Sequence, residues 1–530
     1  MRFMNESREK MTELLTAAQM RAIEAAAIAS GEVTGLELME RAGRGVVEAV
    51  FAEWPELSAG SHRAVVLCGP GGNGGDGFVV ARLLKELGWE VEVFLHGDPG
   101  KMPPDARMNY ERWVGMGEVN MLDRQSPIYA SMPDLVIDAL FGIGLTRPLD
   151  GMLAEMAMEA RSLAAVWCDV AIDVPSGLDS DTGNCLGPCF PAELTVTFHA
   201  PKVGHLLASG PGMCGKLCVK DIGLRHGSSG ARTIDAAVSE LSKPLAAHKY
   251  SHGHALILSG GVGHGGAARL AARGALRIGA GVVTVGCPPA AVIENAAHLN
   301  AVMLRRVGDA GALAEVLEDR RINALCVGPG MGVARAKAML AAVLEAGRGG
   351  VLDADALTAL AEEPELFAQL HDRCVLTPHA GEFARLFPDI AARLAEPAAR
   401  GPAYSKVDAT REAAARAGCV VLFKGADTVI AAPDGRCSIN AASYERAAPW
   451  LATAGSGDVL AGFITGLLAR GFAPMEAAET AAWLHVECAR SFGPGLIAED
   501  LPEEMPKVFR ALGLQAAIAS APQPSSSPPA

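Results

Sequence analysis

Short apolar runs that end in glycine or an acid recur along the whole chain, with helix-like stretches between them. In the first half, the runs 64–68 and 90–95 are typical of strands, and 78–87 has the periodicity of an amphipathic helix. Strand, helix and strand in this order predict a parallel βαβ unit. The glycine-rich run 69–77 follows the first strand, at the edge of a parallel sheet where ligands bind.

Further apolar runs of the first half lead into a charged residue. Asp138 and Asp173 each close a strand-like run, and Lys202 follows the run 194–198. An acid at the end of a buried strand needs a partner, although a capping role for each Asp and a surface position for the lysine are open alternatives. Because the carboxyl ends of parallel strands share one edge of a sheet, we expect a common site there.

The second half repeats the alternation of strands and helices with different motifs, which predicts a second, mainly parallel, doubly wound sheet. The polar or glycine-rich residues that follow its strands are 328–332, Asp353, Asp355, His379 and Lys424. A tight turn, a surface histidine and a lysine at a helix end are the structural alternatives. Their ordered recurrence at strand ends favours one anion-binding cleft.

The stretch 453–462 carries the sharpest chemical pattern of the chain. Gly455 and Gly457 let a ligand approach the main chain, and the apolar run 459–468 predicts a helix that opens at Gly457 and Asp458. A helix start offers unpaired N–H groups and the positive end of the helix dipole, which suit a phosphate. Asp458 is then placed to accept a proton from a hydroxyl group beside that phosphate. The alternative is an Asp that only caps the helix.

Composition and charge narrow the class of protein. The chain has 530 residues and a formal net charge of −14 without a long basic run, so we expect no nucleic acid and no membrane as a partner. Its 12 cysteines are scattered, which predicts reduced thiols and a cytoplasmic protein. We expect neither a secretory signal nor a membrane span, since no long uncharged apolar window occurs.

Length and the change of motifs predict two domains of α/β class, the first a Rossmann-like doubly wound domain. We expect a flexible N-terminus at 1–13, a first domain at 14–226, a Gly/Ser linker at 227–240, a second domain at 241–515 and a disordered tail at 516–530. The halves show no convincing mutual repeat, so two different folds are joined.

The first half resembles the epimerase domain of the bacterial bifunctional NAD(P)H-hydrate repair enzymes. Asn-Gly-Gly-Asp-Gly at 73–77, an Asp before Gly-x-Gly-Leu-x-Arg, Asp-x-Pro-Ser-Gly at 173–177 and Pro-Lys-x-Gly at 201–204 occur in the family's order. Epimerisation at the ring carbon that bears the hydroxyl needs a proton acceptor and a proton donor, and our candidates are Asp173 and Lys202.

The resemblance also implies ligand contacts in this half. The residues that it assigns to the hydrated nicotinamide nucleotide are Gly72, Asn73, Gly74, Gly75, Asp76, Gly142, Ile143, Gly144, Leu145, Thr146, Arg147, Pro148 and Asp173. It further implies a potassium ion held by Asn73, Asp138 and Ser176. Oxygen ligands suit such a hard cation.

The second half resembles the ribokinase-like dehydratase domain of the same family. Gly-Pro-Gly, Leu-Asp-Ala-Asp-Ala-Leu, Thr-Pro-His-x-Gly-Glu, Lys-Gly-x-x-Thr and Ala-Gly-Ser-Gly-Asp-Val-Leu-Ala-Gly occur in this order within 241–505. Generic sugar kinases share the final Gly-x-Gly-Asp but not Thr-Pro-His-x-Gly-Glu. One departure is Ala-Pro-Trp-Leu at 448–451, where the family often has Asn-Pro-Gly-Met. The resemblance assigns Ala267, Gly332, His379 and Asp458 to the hydrate, and Lys424, Gly425, Ala426, Asp427, Thr428 and Gly457 to the adenine nucleotide.

The resemblance implies that the first domain interconverts R- and S-NAD(P)H hydrate and that the second dehydrates the S form while ADP becomes AMP and phosphate. Asp458 then takes the hydroxyl proton as the phosphoryl group arrives. We also expect Mg²⁺ in the dehydratase domain, NAD(P)H hydrate and ADP as ligands, and a homo-oligomer. Two other classes stay open: a vitamin-precursor or sugar kinase fused to a nucleotide-binding domain, and a scaffold with degenerate sites.

Overall fold

The computed structural model describes residues 12–514 except 125, 127, 129–131, 164–167, 226–229, 235–237, 245–246 and 398–402. The tail expected at 516–530, nearly all of the expected flexible N-terminus and part of the expected linker therefore lie outside the described residues. The rest is organised by two sheets, one of seven strands and one of eleven.

The seven-stranded sheet forms the first domain. The strands of this half of the chain are β1 (Glu13–Leu14), β2 (Arg63–Cys68), β3 (Glu90–Leu95), β4 (Val119–Met121), β5 (Leu135–Ala139), β6 (Cys168–Ile172), β7 (Leu194–Phe198) and β8 (Lys216–Lys220). The helices are α1 (Ala17–Ala29), α2 (Gly35–Glu53), α3 (Gly72–Glu86), α4 (Pro104–Val114), α5 (Gly151–Leu163) and α6 (Gly210–Cys214). The order β4-β3-β2-β5-β6-β7-β8 is parallel throughout. Val66 and its neighbour Leu67 enter different apolar clusters, so both faces of the sheet are covered.

The eleven-stranded sheet forms the second domain. Its further strands are β9 (Ala231–Thr233), β10 (His254–Leu258), β11 (Val282–Cys287), β12 (Met303–Arg306), β13 (Ile322–Val327), β14 (Gly349–Leu352), β15 (Cys374–Leu376), β16 (Val420–Phe423), β17 (Asp427–Ala431) and β18 (Cys437–Ala441). Strands β10 to β16 are parallel, in the order β16-β15-β14-β13-β10-β11-β12. Strands β17 and β18 continue the sheet antiparallel, and β9 and β1 close its edge.

Helices cover this second sheet and connect its strands. They are α7 (Gly266–Arg277), α8 (Val292–His298), α9 (Ala310–Leu317), α10 (Val333–Glu345), α11 (Asp355–Glu362), α12 (Pro364–Phe367), α13 (Ala380–Leu386), α14 (Pro388–Ala395), α15 (Lys406–Ala417), α16 (Ser456–Ala469), α17 (Pro474–Phe492) and α18 (Asp500–Ala511). Short 3-10 turns lie at Pro55–Ser58, Pro99–Lys101, Val203–His205, Val238–Leu241, Lys249–His252, Pro289–Ala291, Tyr444–Arg446 and Pro449–Leu451.

The predicted fold class, two α/β domains with mainly parallel sheets, is confirmed. Capping boxes begin α1 and α2, where the hydroxyl groups of Thr16 and Thr34 each accept from the N3 main-chain N–H. Among the described residues, no helix is both long enough and apolar enough to cross a membrane.

The start of the described chain ties the two domains together, which differs from the expected domain limits. Glu13 and Leu14 pair with residues of β9 in the second sheet. Leu15 then donates to the carbonyl of Pro201 and accepts from the N–H of Val203, both at 3.0 Å. Part of the segment expected to be a linker thus forms strand β9. Main-chain hydrogen bonds to the neighbouring strands stabilise it, although the residues around it in the sequence are polar.

Helices α7 and α16 pack closely at the centre of the second domain through small residues. A Cβ atom at Gly462 would overlap the carbonyl group of Ala271, and one at Gly466 would lie 2.7 Å from the carbonyl oxygen of Ala275. Since main chain cannot move aside as a flexible side chain does, the glycines of α16 set the distance between these helices.

We expect Gly462→Ala to destabilise the protein by about 1–3 kcal/mol, because the added methyl group forces α16 away from α7. The measurement is the midpoint of urea unfolding. Gly212→Ala is the matched control, since a Cβ there meets no atom within 4 Å. Equal midpoints for the two variants would contradict the packing described here.

Candidate active sites

The first candidate site lies at the carboxyl ends of β2, β5, β6 and β7. Helix α3 begins at Gly72 rather than at Phe78 as expected, so most of the glycine run is helical. A Cβ atom at Gly74 would overlap the carbonyl of Gly69, and one at Gly77 would lie 2.7 Å from the Cβ of Ala139. The glycines therefore let the first turn of α3 rest on the strand ends, and its N–H groups lack helical acceptors.

An ion pair between Asp173 and Lys202 is the centre of this site. Lys202 Nζ lies 2.8 Å from Asp173 Oδ1 and is fully buried. It also donates to Thr197 Oγ1 at 2.8 Å and to the carbonyl of Phe198 at 3.2 Å. Asp173 Oδ2 has only a long contact of 3.4 Å, from the N–H of Ile143, among the described residues. Lys202 thus holds Oδ1 and leaves Oδ2 open for a ligand.

The main chain of Asp173 is strained and is held by a histidine. Its φ of 66° lies in the left-handed region, which costs a non-glycine residue about 1–3 kcal/mol. The N–H of Lys202 donates to His205 Nδ1 at 3.0 Å, so the proton of the ring is on Nε2, 3.0 Å from the carbonyl of Asp173. Burial lowers the pKa of His205 to about 4, and the ring is neutral.

The acids around this lysine differ in protonation. Burial acts to raise the pKa of Asp173, but the charge and hydrogen bond of Lys202 outweigh it and bring the pKa below its ordinary value. Burial and the charge of Asp173 raise the pKa of Asp76 and of Glu24. Sequence reasoning missed Glu24, whose one signal is that it is the only acid in the alanine-rich helix α1.

Asp138 and Ser176 form a second pair beside the first. Ser176 donates to Asp138 from its hydroxyl at 2.7 Å and from its N–H at 2.8 Å. Burial raises the pKa of Asp138, and the hydrogen bonds from Ser176 lower it by less, so the pKa lies above its ordinary value. The N–H of Phe141 donates to Ser176 Oγ at 2.9 Å, which fixes the start of the loop 142–148. Asn73 Nδ2 is buried without a hydrogen-bond partner in the described part of the chain.

The predicted loop 142–148 enters the site only at its start. A Cβ atom at Gly142 would lie 3.1 Å from both Asn73 Oδ1 and Asp173 Oδ2, so these three residues meet. Arg21 of α1 donates to the carbonyl of Ile143 at 2.8 Å. Leu145 is half-buried; the exposed residues of the loop are Gly144, Thr146, Arg147 and Pro148.

The second candidate site is built on the start of α16. The helix begins at Ser456, and Gly455, with a φ of 88°, is its N-cap. Asp458 is therefore the third residue of the helix, and the capping alternative is wrong. The Ser456 hydroxyl donates to the carbonyl of Leu451 at 2.9 Å, and the buried His485 ring bonds the carbonyl of Ser456 at 2.9 Å. These bonds hold the turn and leave the first N–H groups of α16 directed away from the helix.

Lys424 joins the ends of β14 and β16 beside this helix start. Its Nζ lies 2.8 Å from Asp353 Oδ1 and 3.9 Å from Glu382 Oε2. A Cβ atom at Gly457 would lie 3.6 Å from the same Nζ. Burial raises the pKa of Asp458 to about 6, a shift to which Asp353 adds and which Lys424 opposes. Asp353, Lys424 and Asp458 thus form one cluster, and the helix-end alternative for Lys424 is wrong.

The other residues assigned to the hydrate lie at helix starts: Ala267 is in the first turn of α7, and Gly332 and His379 are the N-caps of α10 and α13. His379 caps α13, with Nδ1 accepting from the N–H of Gly381 at 3.0 Å, and its side chain is 57% exposed. The N–H of Gly332 donates to Asp355 at 2.8 Å. Ala267 lies beside Gly330, where an added Cβ would be 3.2 Å from it.

The loop assigned to the adenine nucleotide is closed by its own bonds. Thr428 donates to the carbonyl of Gly425 at 2.7 Å, and Ala426 accepts from the N–H of Ala442 at 2.7 Å. The Asp427 carboxylate accepts from Lys406 Nζ at 2.6 Å and from the N–H of Ala208, in the first domain, at 3.0 Å. The loop would therefore contact a ligand through its main chain and not through the Asp427 carboxylate, which is already bonded.

Two α/β domains, each with a lysine–carboxylate pair at the ends of its strands, define an enzyme with two separate active sites. The sequence matches two protein families, described as YjeF-related protein N-terminus over residues 35–204 and NAD(P)H-hydrate dehydratase over residues 255–506. The chain belongs to the family of bifunctional NAD(P)H-hydrate repair enzymes: such an enzyme from Moorella thermoacetica is 36% identical over an alignment of 531 positions that covers 94% of this chain and 97% of that one. The resemblance drawn from the motifs is confirmed.

Single-domain relatives match the halves separately. An NAD(P)H-hydrate epimerase from Roseobacter litoralis is 48% identical over 236 residues, which cover 40% of this chain and 100% of its own length. A solved ADP/ATP-dependent NAD(P)H-hydrate dehydratase from Bacillus subtilis is 28% identical, with a TM-score of 0.41, and covers 52% of this chain and 95% of that one. The family assignment rests on the sequence relatives. The kinase alternative is weaker, since full-length relatives carry the repair-enzyme name.

We expect Asp458→Asn to stabilise the protein at pH 8 by about 1–3 kcal/mol in metal-free buffer and to leave it unchanged near pH 3. The folded-state pKa of Asp458 is about 6, raised from 3.8, so its stabilising contribution is complete below the unfolded value and is lost as pH rises through 6. Asn stays neutral at every pH, so the variant does not lose stability in this way as the pH rises. The measurement is the midpoint of urea unfolding at both pH values.

Asp434→Asn is the control for this measurement, because it should lower the stability of the protein at pH 8 rather than raise it. The N–H and guanidinium of Arg436 hold the pKa of Asp434 below its ordinary value, so its ionised form stabilises the fold at pH 8. A loss of stability in Asp458→Asn at pH 8 would contradict the raised pKa.

Proposed function

We propose that the chain repairs hydrated NAD(P)H in two steps, one in each domain. The first domain interconverts the R and S forms. The second dehydrates the S form, with ADP converted to AMP and phosphate. The observation that carries the proposal is Asp458 on the first turn of α16, beside the ion pair of Asp353 and Lys424. A carboxylate next to unpaired N–H groups is the arrangement that phosphoryl transfer to a hydroxyl requires.

In the first domain, Asp173 is the proton acceptor. Its Oδ1 is held by Lys202 and Thr197, so Oδ2 takes the proton of the ring hydroxyl. The oxygen becomes a carbonyl oxygen as the bond between that carbon and the ring nitrogen breaks, and the electron pair of the bond moves to the nitrogen. The nitrogen then attacks the other face of the carbonyl carbon, and Oδ2 returns the proton to the oxygen. Lys202 keeps Asp173 ionised at neutral pH, which a base requires. The first turn of α3 and the residues Gly142 and Ile143 surround Oδ2 and provide the remaining contacts of the hydrate.

In the second domain, Asp458 accepts the hydroxyl proton as the β-phosphoryl group of ADP bonds to that oxygen. Hydroxide leaves poorly, whereas the resulting phosphate ester releases phosphate. Loss of a proton from the neighbouring ring carbon then restores the dihydronicotinamide. The N–H groups of Gly455 and Gly457 stabilise the charge on the transferred oxygens, and Lys424 adds a positive charge beside Gly457.

The donor sets fit the cations that the family resemblance implies. For potassium, Asn73, Asp138 and Ser176 supply oxygens only, and Asp138 and Ser176 already lie in contact. For Mg²⁺, the acids Asp353 and Glu382 flank Lys424 and would hold the ion together with phosphate oxygens. Such an ion supplies neutralising charge to the phosphates when bound.

We expect two variants to separate the activities. Asp458→Asn should lower turnover of the S form about 10²–10⁴-fold, because the general base is lost, while ADP binding and epimerisation remain. Asp173→Asn should abolish epimerisation above the spontaneous rate and leave turnover of the S form unchanged; Asn tolerates the left-handed main chain at this position. The measurement is recovery of dihydronicotinamide absorbance from each separated epimer, with ADP or ATP.

The product distinguishes this function from that of a kinase. Free phosphate together with NAD(P)H supports repair, and a stable phosphoester would establish the kinase alternative instead. If Asp458→Asn or Asp173→Asn kept near-normal rates, the proposed role of that residue would be refuted.

A further inference from the structure

A tyrosine of the second domain reaches the catalytic pair of the first. Tyr444 lies in the 3-10 turn Tyr444–Arg446, between β18 and α16. Its hydroxyl donates to the main-chain carbonyl of His205 at 2.6 Å. Its ring packs on an apolar cluster of the first domain, whose buried members are Val174, Leu178, Cys189 and Cys214. Val174 directly follows Asp173 in the chain.

Hydrogen bonds continue from Tyr444 to the acid. His205 accepts from Tyr444 through its carbonyl, and its ring Nε2 bonds the carbonyl of Asp173 at 3.0 Å. Asp173 Oδ1 then meets Lys202 Nζ at 2.8 Å. Three consecutive contacts thus connect the second domain to the ion pair.

Burial fixes the direction of the first bond in this series. It raises the pKa of the Tyr444 phenol far above its ordinary value, so the hydroxyl keeps its proton. A main-chain carbonyl only accepts, and therefore Tyr444 is always the donor. The contact does not switch with pH over the range in which an enzyme works.

Main-chain strain occurs at both ends of the series. Tyr444 has a φ of 52° and Asp173 a φ of 66°, and Ala208, which donates to Asp427 of the second domain, has a φ of 47°. Left-handed conformations of such residues persist only where surrounding contacts outweigh their cost. Two hydrogen bonds between the domains, from Tyr444 to His205 and from Ala208 to Asp427, are made by residues of this strained group.

We propose that Tyr444 is a positioning residue for the epimerase: by holding the main chain of His205, it keeps the His205 ring under Asp173 and so directs Oδ2 at the substrate. This inference rests on the proposed epimerase role of Asp173. The contact joins the epimerase site of this chain to its second domain.

The test is Tyr444→Phe in the full chain, which removes one hydroxyl and keeps the ring packed. We expect kcat of epimerisation to fall about 10- to 100-fold, because a misplaced base loses its alignment, with KM changed less than about twofold. Turnover of the S form by the second domain should stay within about twofold of wild type. Tyr404→Phe is the matched control: it removes a comparable hydroxyl bond, 2.6 Å to Glu412, away from His205, and should leave epimerisation unchanged.

A second pair of variants keeps the test independent of folding damage. 4-Methylphenylalanine and 4-aminophenylalanine at position 444 have similar volumes, but only the amino group donates a hydrogen bond. Recovery of kcat with the amino side chain and not with the methyl side chain supports the inference. Equal rates for that pair, or an unchanged kcat in Tyr444→Phe, overturn it.

The epimerase activity of the wild-type chain distinguishes a failure of this inference from a failure of the proposed function. Wild-type epimerisation together with an unaffected Tyr444→Phe variant overturns the positioning role alone. A wild-type chain without epimerase activity would overturn both the positioning role and the proposed function.

Discussion

A lysine at a strand end pairs with a buried carboxylate in each domain. Lys202 pairs directly with Asp173, and the pKa of that acid is lowered although burial acts to raise it. Lys424 pairs instead with Asp353, and the nearby Asp458 keeps a pKa of about 6. A charge removed from water must be compensated by a partner. In the first domain the acid that pairs with the lysine has a lowered pKa, whereas in the second domain Asp458, which lies outside the pair, has a pKa that burial raises.

The two domains differ in how they present these acids. In the first, the acid sits on a strained strand end, and the hydrogen bonds of His205 and Lys202 hold it. In the second, the acid sits on the first turn of a helix whose start is held by Ser456 and His485. A strand end places one carboxylate oxygen with precision, which suits moving a single proton. A helix start adds main-chain N–H groups, which suit a phosphate.

The two environments suit two different reactions, epimerisation in the first domain and dehydration in the second. Dehydration acts on one epimer, so a chain that also interconverts the epimers makes all of the damaged cofactor available to the second site. Main-chain hydrogen bonds connect the domains: β1 joins the second sheet, and the next residue, Leu15, pairs with the residues on either side of Lys202. The epimerase site is thus built close to the surface on which the second domain rests.

Much of this protein is determined by local sequence. Alternating apolar runs predicted both sheets, because the strands of a parallel sheet are buried on both faces, and the motifs at strand ends predicted Asp173, Lys202, Lys424 and Asp458. Other features depend on residues distant in the chain. Helix α3 can begin at Gly72 because Gly74 has no Cβ atom to overlap the carbonyl of Gly69. Strand β9 forms because β1 and β18 flank it, and Lys424 bonds Asp353 from another strand end. A sequence states which groups follow each strand, but only the packed sheet sets their distances, and electrostatic energies depend on those distances.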